Sequence, residues 1–185
     1  MAVTPSNMMA LGTEAPAFDL TDVISGENKT LGDVKGEKGL VVMFICAHCP
    51  YVKHLEEEIA FVSEKYQRKG VGFVAISSND VENYPGDSPE KLAEQAEKHD
   101  FDFPYLFDES QKVAKSYKAE CTPDFYLFDA DLKCVYRGRF DASTPGNEEP
   151  VTGEDLREAM DQLIDGVEVY QDQKPSMGCN IKWRQ

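Results

Sequence analysis

Two cysteines separated by two residues, Cys46 and Cys49, are the residues of this sequence best suited to covalent chemistry. A cysteine reacts as its thiolate, which is a minor species at neutral pH unless its surroundings lower the pKa. Pro50, directly after Cys49, fits the first position of a helix, and the unpaired N–H groups of a helix N-terminus stabilise a thiolate. His48, between the two cysteines, adds to this effect when it is protonated. The pair therefore predicts the formation and reduction of a disulfide between Cys46 and Cys49.

Two other interpretations of the pair stay open at this point. Free cysteines are among the most buried residue types, so both can be small core residues. A metal site could use the two cysteines with His48 or His54, but the sequence lacks the second Cys-x-x-Cys or His-x-x-x-His half of a zinc signature. We therefore expect no bound metal and no cofactor.

The segments on either side of the pair must hold it in place. Residues 39–45 are continuously apolar, which is typical of a central strand covered on both faces. After Pro50, apolar residues recur at steps of three and four up to an Arg-Lys-Gly sequence, which predicts one amphipathic helix over residues 50–68. A Cys-x-x-Cys between a buried strand and such a helix is much stronger evidence for redox activity than the motif alone.

The remaining pattern alternates strands and helices before it ends in a hairpin and a helix. Residues 15–20 and 29–31 predict a hairpin near the N-terminus. The order predicts an α/β fold in which a mixed sheet is flanked by helices. The other predicted elements are a strand at 71–77, a helix that begins with Ser88 and Pro89, a short helix at 110–117, strands at 125–128 and 134–140, and a last helix from a capping box at 152–155 to residue 164.

Length and charge limit the possible organisation and partners. The chain has 185 residues, and we expect one domain over residues 11–170, between a flexible N-terminus (1–10) and a C-terminal tail (171–185). Its formal net charge of -15 repels a phosphate backbone, so nucleic acid is a poor partner. The first ten residues lack the features of a secretory signal, and no apolar run is long enough to span a membrane. Five irregularly spaced cysteines also differ from the even frameworks of secreted domains, so we expect a cytoplasmic protein without a membrane partner.

Three segments together resemble the thioredoxin superfamily: Ala-Pro-Ala-Phe-Asp-Leu at 15–20 with Asp22, the strand that ends at Phe44 with the cysteine pair, and Cys-Thr-Pro-Asp-Phe-Tyr-Leu-Phe-Asp at 121–129. More closely, they resemble its peroxiredoxin-like (AhpC/TSA) branch with a thioredoxin-type Cys-x-x-Cys, over residues 11–165. The resemblance implies a thioredoxin fold with an N-terminal hairpin extension, in which Pro123 is a cis-proline that faces the cysteines. It also makes Thr122 and Cys121 candidate supporting residues, and Cys121 can be either a third redox thiol or a packed side chain.

The sequence departs from the peroxiredoxin pattern, in which a proline and a threonine precede the peroxidatic cysteine. With Cys49 in that role, Val42 and Cys46 occupy the two positions. The arginine that peroxiredoxins supply from a later strand has no clear counterpart, because Arg137 and Arg139 lie further on. A thiol-dependent peroxidase with Cys49 as the peroxidatic cysteine is therefore the alternative function, and a redox-inert or metal-binding domain is the second alternative.

The identity of the attacking cysteine depends on the register against thioredoxins. Counting from Phe44 at the strand end places Cys49 where thioredoxins carry their nucleophilic cysteine, and Val52 where they carry the second. In this register Cys49 attacks and Cys46 resolves from the loop, whereas in the other register Cys46 is the nucleophile. We favour Cys49, because Pro50 after it fits the first helical position.

The function predicted from these residues is thiol–disulfide exchange by Cys49 and Cys46. The expected substrates are protein or small-molecule disulfides, or peroxides in the alternative, with a cellular thiol reductant as the electron donor. Cys179 in the tail is a candidate for resolving a disulfide within the chain or with another subunit. Cys134 fits a packed position on a strand.

Overall fold

The centre of the fold is the apolar strand predicted before the cysteine pair, in a computed structural model that describes residues 3–185. This strand, Gly39–Phe44 (β4), is buried at every position. It pairs in parallel with Val71–Ser77 (β5) and antiparallel with Asp124–Asp129 (β8). A strand that is covered on both faces and paired at both edges suits a continuous apolar run, which explains the sequence pattern.

Four shorter strands complete a mixed sheet of seven strands. The hairpin predicted near the N-terminus forms one edge, and the predicted second hairpin joins the other edge to β8. The order across the sheet is Asn28–Thr30 (β3), Asp19–Asp22 (β2), Tyr105–Phe107 (β6), β5, β4, β8 and Cys134–Gly138 (β9).

Helices cover both faces of the sheet, so the core has two layers. Along β4, Val41 and Met43 face the first layer, whereas Leu40 and Val42 face the second. This mixed sheet between helices is the α/β fold predicted from the sequence. Among residues 3–185, no helix combines the length and apolar character needed to cross a membrane. The helices are Leu31–Val34 (α1) and Lys112–Tyr117 (α5) on the second layer, Glu56–Gln67 (α3), Pro89–Lys98 (α4) and Glu154–Ile164 (α6) on the first, and Pro50–Lys53 (α2) directly after the cysteine pair.

The helix predicted over residues 50–68 is interrupted after one turn. The segments α2 and α3 are separated at His54 and Leu55. At the break, the N–H of Leu55 donates to the carbonyl oxygen of Val52 at 2.9 Å, which is a tighter step than the four residues of an α-helix. The helix that follows the cysteine pair is therefore a single turn, and it contributes only the dipole of that turn.

The last helix, α6, begins without the predicted capping box. The residue that flanks its start is Gly153, with a φ of 67°, a left-handed conformation that glycine adopts without strain. The hydroxyl of Thr152 accepts a hydrogen bond from the N–H of Glu154 at 3.2 Å. A Cβ on residue 153 would lie 2.7 Å from the ring of Phe140, so close packing fixes this position.

One strand from near each end of the chain and one short strand from its middle form a second sheet. Val3–Pro5 (β1) pairs with Met177–Asn180 (β10), which in turn pairs with Cys121–Thr122 (β7). The sequence predicted a flexible segment over residues 1–10 and a tail without regular structure over 171–185. Residues 1 and 2 lie outside the described residues. The described part of both segments contains β1 and β10, whose backbone N–H and carbonyl groups pair with each other, so it is more ordered than predicted. The division of the chain at residues 10 and 170 stays a prediction.

Candidate active site

The cysteine pair lies in the loop between β4 and α2. Pro50 occupies the first position of α2, as predicted, and Cys49 is the residue that flanks the helix start. A proline fits there because its φ is preset and its missing N–H leaves no helical hydrogen bond unmade. Cys46 and Cys49 are buried, with exposed fractions of 1% and 0%. The ionisation of both sulfur atoms is therefore set by neighbouring protein groups.

The Cys46 thiol is the main group that stabilises a thiolate on Cys49. Its hydrogen bond lowers the pKa of Cys49 to about 5, against the opposing effect of burial. Smaller contributions in the same direction come from Cys179, Thr122 and the N–H of Val52. The same hydrogen bond, together with burial, raises the pKa of Cys46 well above its usual range. At neutral pH the pair consists of a thiolate on Cys49 and a thiol on Cys46, and the neighbouring thiol contributes more to this than the predicted helix.

The peptide bond between Thr122 and Pro123 is cis, as the resemblance implied. The hydroxyl oxygen of Thr122 lies 3.6 Å from Sγ of Cys46. The carbonyl oxygen of Thr122 lies 3.5 Å from Sγ of Cys49, where it accepts a hydrogen bond from the protonated thiol. The structure thus brings Thr122 into contact with both sulfur atoms, and it places Pro123 next to this contact.

A buried aspartate, Asp87, fixes the loop that contains His48. Its carboxylate accepts hydrogen bonds from the N–H groups of Ala47 and His48 at 2.8 and 3.0 Å, and from the amide of Asn79 at 2.8 Å. It also pairs with Nδ1 of His48, and this interaction raises the pKa of the imidazole. Sequence reasoning missed Asp87, which lies 39 residues after His48 in a segment, 81–87, without regular pattern.

A metal ion would have three ligands at a suitable spacing, because atoms of Cys46, His48 and Asp87 lie within 4.8 Å of one another. The Asp87 carboxylate, however, already accepts four hydrogen bonds, one of them from the imidazole. His54 lies elsewhere, with Nε2 at 2.7 Å from the hydroxyl of Ser143. This arrangement suits a rigid loop better than a metal centre.

Two of the other cysteines form hydrogen bonds within their own segments. The thiol of Cys121 donates to the carbonyl of Pro123 at 3.8 Å, and burial raises the pKa of Cys121 far above its usual range. The thiol of Cys134 donates to the carbonyl of Tyr136 at 3.5 Å, and burial raises its pKa to about 12. Each thiol hydrogen-bonds to a carbonyl group two residues further along the chain and not to the cysteine pair, so both side chains are suited to packing.

The tail cysteine, Cys179, lies at the pair. In the pairing of β10 with β7, Cys179 is opposite Thr122, and it belongs to the same buried cluster as Cys46 and Cys49. Its thiol helps to lower the pKa of Cys49. Cys179 is 2% exposed. The only signal in the sequence was a cysteine in the tail, and the strand pairing that brings it to Cys49 could not be inferred from the spacing.

The two arginines considered for a peroxide site are engaged elsewhere. Arg137 donates to the carbonyl of Met9 and to the side chain of Gln173, both at 2.6 Å. Arg139 pairs with Asp155 at 2.5 Å. Both side chains therefore hold other segments of the fold.

A cleft of about 190 Å³ opens beside the cis-proline. Its walls include Tyr51 from α2, Pro123, Phe140, Ser143 and Met177 from the tail strand. The cleft therefore borders three of the elements that build the site, and it offers room for part of a substrate.

Alkylation of Cys49 should depend little on pH above about pH 6.5. With a pKa of about 5, Cys49 is already a thiolate there. An ordinary thiol with a pKa of about 8.5 would react about fiftyfold faster at about pH 8.5 than at about pH 6.5. The rate at Cys49 should fall only as the pH drops through about 5, because protonation then removes the thiolate. Iodoacetamide labelling followed by peptide mass spectrometry measures this, and an ordinary-thiol profile at Cys49 would contradict the lowered pKa.

The sequence model of the AhpC/TSA family matches residues 11–137 of this chain. The matched segment contains the cysteine pair and the cis-proline. No curated protein matches the sequence.

The solved structures that are similar to this chain include those of the following three proteins. An uncharacterized conserved protein from Geobacillus kaustophilus is 55% identical, with 100% of this chain and 97% of that chain covered and a TM-score of 0.98. Peroxidoxin BcpB from Mycobacterium tuberculosis is 19% identical, with 84% of this chain and 97% of that chain covered and a TM-score of 0.63. The thioredoxin domain of a thiol-disulfide oxidoreductase from Bacteroides vulgatus is 22% identical, with 70% and 89% covered and a TM-score of 0.59. The last two similarities confirm the predicted thioredoxin fold.

Proposed function

The chain belongs to the AhpC/TSA family, and from this premise we propose that it is a thiol–disulfide oxidoreductase whose redox pair is Cys46 and Cys49. The observation that carries the proposal is that the two buried sulfur atoms both lie against Thr122, next to the cis-proline. There the Cys46 thiol lowers the pKa of Cys49, which favours a thiolate on Cys49 and a thiol on Cys46. Disulfide exchange requires a nucleophilic thiolate and a second thiol that resolves the intermediate. The family and the fold support a redox activity in general, and a thiolate placed next to a second thiol favours disulfides as its substrates.

The exchange takes place in two steps. The thiolate of Cys49 attacks one sulfur of a substrate disulfide, so that a mixed disulfide forms, the substrate S–S bond breaks and the departing sulfur takes a proton. The thiol of Cys46 then loses its proton and attacks Sγ of Cys49, which releases the second half of the substrate as a thiol. Two protein thiols are oxidised to a disulfide, and the substrate disulfide is reduced to two thiols. A cellular thiol reductant restores the protein.

Neighbouring side chains support these steps. His48 keeps a positive charge next to the loop because Asp87 raises the pKa of its imidazole. Thr122 contacts both sulfur atoms, so it aligns Cys46 with Cys49 for resolution.

A thiol peroxidase with Cys49 as the peroxidatic cysteine is the second candidate, and the family match and the lowered pKa of Cys49 favour it. Fast reaction with peroxide needs hydrogen-bond donors aimed at the charge that develops on oxygen. Val42 and Cys46 stand where the peroxiredoxin pattern has proline and threonine. The side chains of Arg137 and Arg139 hold other segments. We therefore rank this activity below disulfide exchange.

Side-by-side assays should show efficient disulfide reduction and slow peroxide consumption. We expect the rate constant with hydrogen peroxide to lie about 10²–10³-fold below that of a peroxiredoxin assayed in parallel, since the loss of one preorganised donor costs about that much. Reduction of insulin and of hydroxyethyl disulfide, with dithiothreitol as reductant, should proceed to completion.

The Cys134→Ser variant is the control, because it removes a thiol that is packed on another strand. Its rates should equal those of the wild-type protein in both assays. A peroxide rate constant equal to that of the peroxiredoxin would reverse the ranking. Free thiols on both Cys46 and Cys49 after mild oxidation would favour a redox-inert or metal-binding domain.

We further propose that the protein works in the cytoplasm on protein or small-molecule disulfides. A reducing compartment keeps isolated thiols such as Cys121 and Cys134 unpaired, and it supplies the thiol reductant that the cycle needs. Because Cys49 is fully buried, a small disulfide meets the least obstruction.

A further inference from the structure

The tail strand β10 is fastened to the body of the protein on both sides of Cys179. Before Cys179, the hydroxyl of Ser176 donates to the carbonyl of Pro123 at 2.5 Å. After it, the N–H of Lys182 donates to the side chain of Asn79 at 2.8 Å. The segment between these anchors has little freedom to move, so Cys179 is held in place.

Within this segment, the backbone lies close to Thr122. A Cβ on Gly178 would lie 1.9 Å from the carbonyl oxygen of Thr122. The next residue, Cys179, is opposite Thr122 in the strand pairing. Thr122 is also the residue that contacts Cys46 and Cys49. Three sulfur atoms are therefore gathered around one residue.

Cys179 belongs to the same buried cluster as Cys46 and Cys49, and its thiol helps to lower the pKa of Cys49. Burial and the neighbouring Cys49 sulfur raise the pKa of Cys179 to about 12, because a thiolate on Cys49 disfavours a second negative charge beside it. Cys179 thus resembles Cys46, because both are buried thiols in the cluster around Cys49 whose raised pKa keeps them protonated.

From this geometry we propose that Cys179 is a third redox residue, which forms a disulfide with Cys49 as an alternative to Cys46 and locks β10 over the site. The inference rests on the proposed disulfide exchange and adds a second resolving thiol to it. It also gives the tail strand a role in controlling access to Cys49.

The step begins from the mixed disulfide between Cys49 and half of a substrate disulfide. The thiol of Cys179 loses its proton, and its sulfur attacks Sγ of Cys49. The bond between Cys49 and the substrate breaks, a Cys49–Cys179 bond forms, and the substrate half leaves and takes up a proton as a thiol. Two protein thiols are oxidised in total, and one substrate disulfide is reduced to two thiols.

Cys49 can form only one of the two disulfides at a time, so Cys46 and Cys179 compete for it. A disulfide with Cys46 leaves the tail strand held by hydrogen bonds and packing alone. A disulfide with Cys179 adds a covalent bond between the tail strand and the residue that it covers. Either form needs a thiol reductant before Cys49 can attack again, and only the second form also ties β10 covalently to the site.

The two disulfides are distinguishable by tryptic mapping. Cys46 and Cys49 lie on one peptide, 39–53, whereas Cys179 lies on another, 158–182. The protein is oxidised with one equivalent of hydroxyethyl disulfide, quenched with acid and analysed by mass spectrometry without reduction. A Cys46–Cys49 disulfide leaves peptide 39–53 lighter by two hydrogens, and a Cys49–Cys179 disulfide links the two peptides.

We expect the linked peptides to be the main product in the Cys46→Ser variant, because serine keeps the hydrogen-bond donor next to Cys49. In the Cys179→Ser variant, only the disulfide within peptide 39–53 should form. In the variant with both substitutions, Cys49 should remain as a mixed disulfide with mercaptoethanol. That species should persist at least about tenfold longer than in Cys46→Ser, because a tethered thiol acts at an effective concentration of about millimolar. The Cys134→Ser variant should give the wild-type products.

A mixed disulfide that persists as long in Cys46→Ser as in the double variant would overturn the proposal, even while the wild-type protein forms its Cys46–Cys49 disulfide. Failure of the wild-type protein to form either disulfide would instead contradict the proposed function, and the inference would fall with it. The two failures are therefore distinguishable in one experiment.

Discussion

Replacement of Cys49 by serine should lower disulfide turnover by at least about 10³-fold. The pKa of Cys49 is lowered to about 5 and that of Cys46 is raised, so the thiolate that begins exchange resides on Cys49. A serine hydroxyl is a weak nucleophile without an activating base, so the first step is lost. Replacement of Cys46 by serine should leave this step intact, because the hydroxyl can still donate a hydrogen bond to the thiolate.

A single-turnover reaction with hydroxyethyl disulfide separates the two variants. The mercaptoethanol released in the first step should amount to one equivalent from Cys46→Ser and none from Cys49→Ser. Cys134→Ser should match the wild-type protein. The reverse pattern, with release from Cys49→Ser alone, would make Cys46 the nucleophile and restore the thioredoxin register.

The parts of the site that depend on local geometry could be predicted from the sequence. A proline can begin a helix wherever its preset φ is needed, so Pro50 marks the start of α2 without help from the rest of the fold. The continuous apolar run of β4 likewise reports burial on both faces, whatever its neighbours are. These two features were enough to place Cys46 and Cys49 between a central strand and a helix.

The parts that depend on contacts between distant segments could not be predicted. Asp87 reaches the loop at His48 across 39 residues, from a segment with no periodic pattern. Strand β10 consists of Met-Gly-Cys-Asn, which is too short and irregular to indicate a strand, and it is stabilised by pairing with both β1 and β7. The contact between Cys179 and Cys49 is a consequence of that pairing.

The cause of the lowered pKa at Cys49 also required the structure. The sequence indicated a helix N-terminus, and a thiolate there is expected on general grounds. The break at His54 and Leu55 leaves only one helical turn behind Cys49, and the Cys46 thiol provides the largest stabilisation. Sequence spacing shows that two cysteines are close, but it does not show which sulfur donates to the other.

Replacement of Gly178 by alanine should open the tail strand and raise the labelling rate of Cys49 at least about fivefold. The added Cβ would lie 1.9 Å from the carbonyl oxygen of Thr122 and 3.2 Å from Cδ of Pro123. A backbone oxygen cannot move aside as a flexible side chain does, so the strand must shift. Overpacking of this kind costs about 1–3 kcal/mol, and each reduction of about 1.4 kcal/mol in the free energy of opening raises the open population about tenfold.

Labelling reports this opening because Cys49 is fully buried in the closed form and reacts with a bulky maleimide only when the strand has moved. Met177→Ala is the matched control, since the side chain of Met177 is 40% exposed on the same strand and its removal introduces no close contact. Cys134, on the separate peptide 134–137, reports global unfolding, and its labelling should stay slow in both variants. Equal labelling of Cys49 in Gly178→Ala and Met177→Ala, with Cys134 still protected, would show that the tail strand does not control access. Reagents would then reach Cys49 by a route that leaves β10 in place, and the cleft beside Pro123 would be the first candidate.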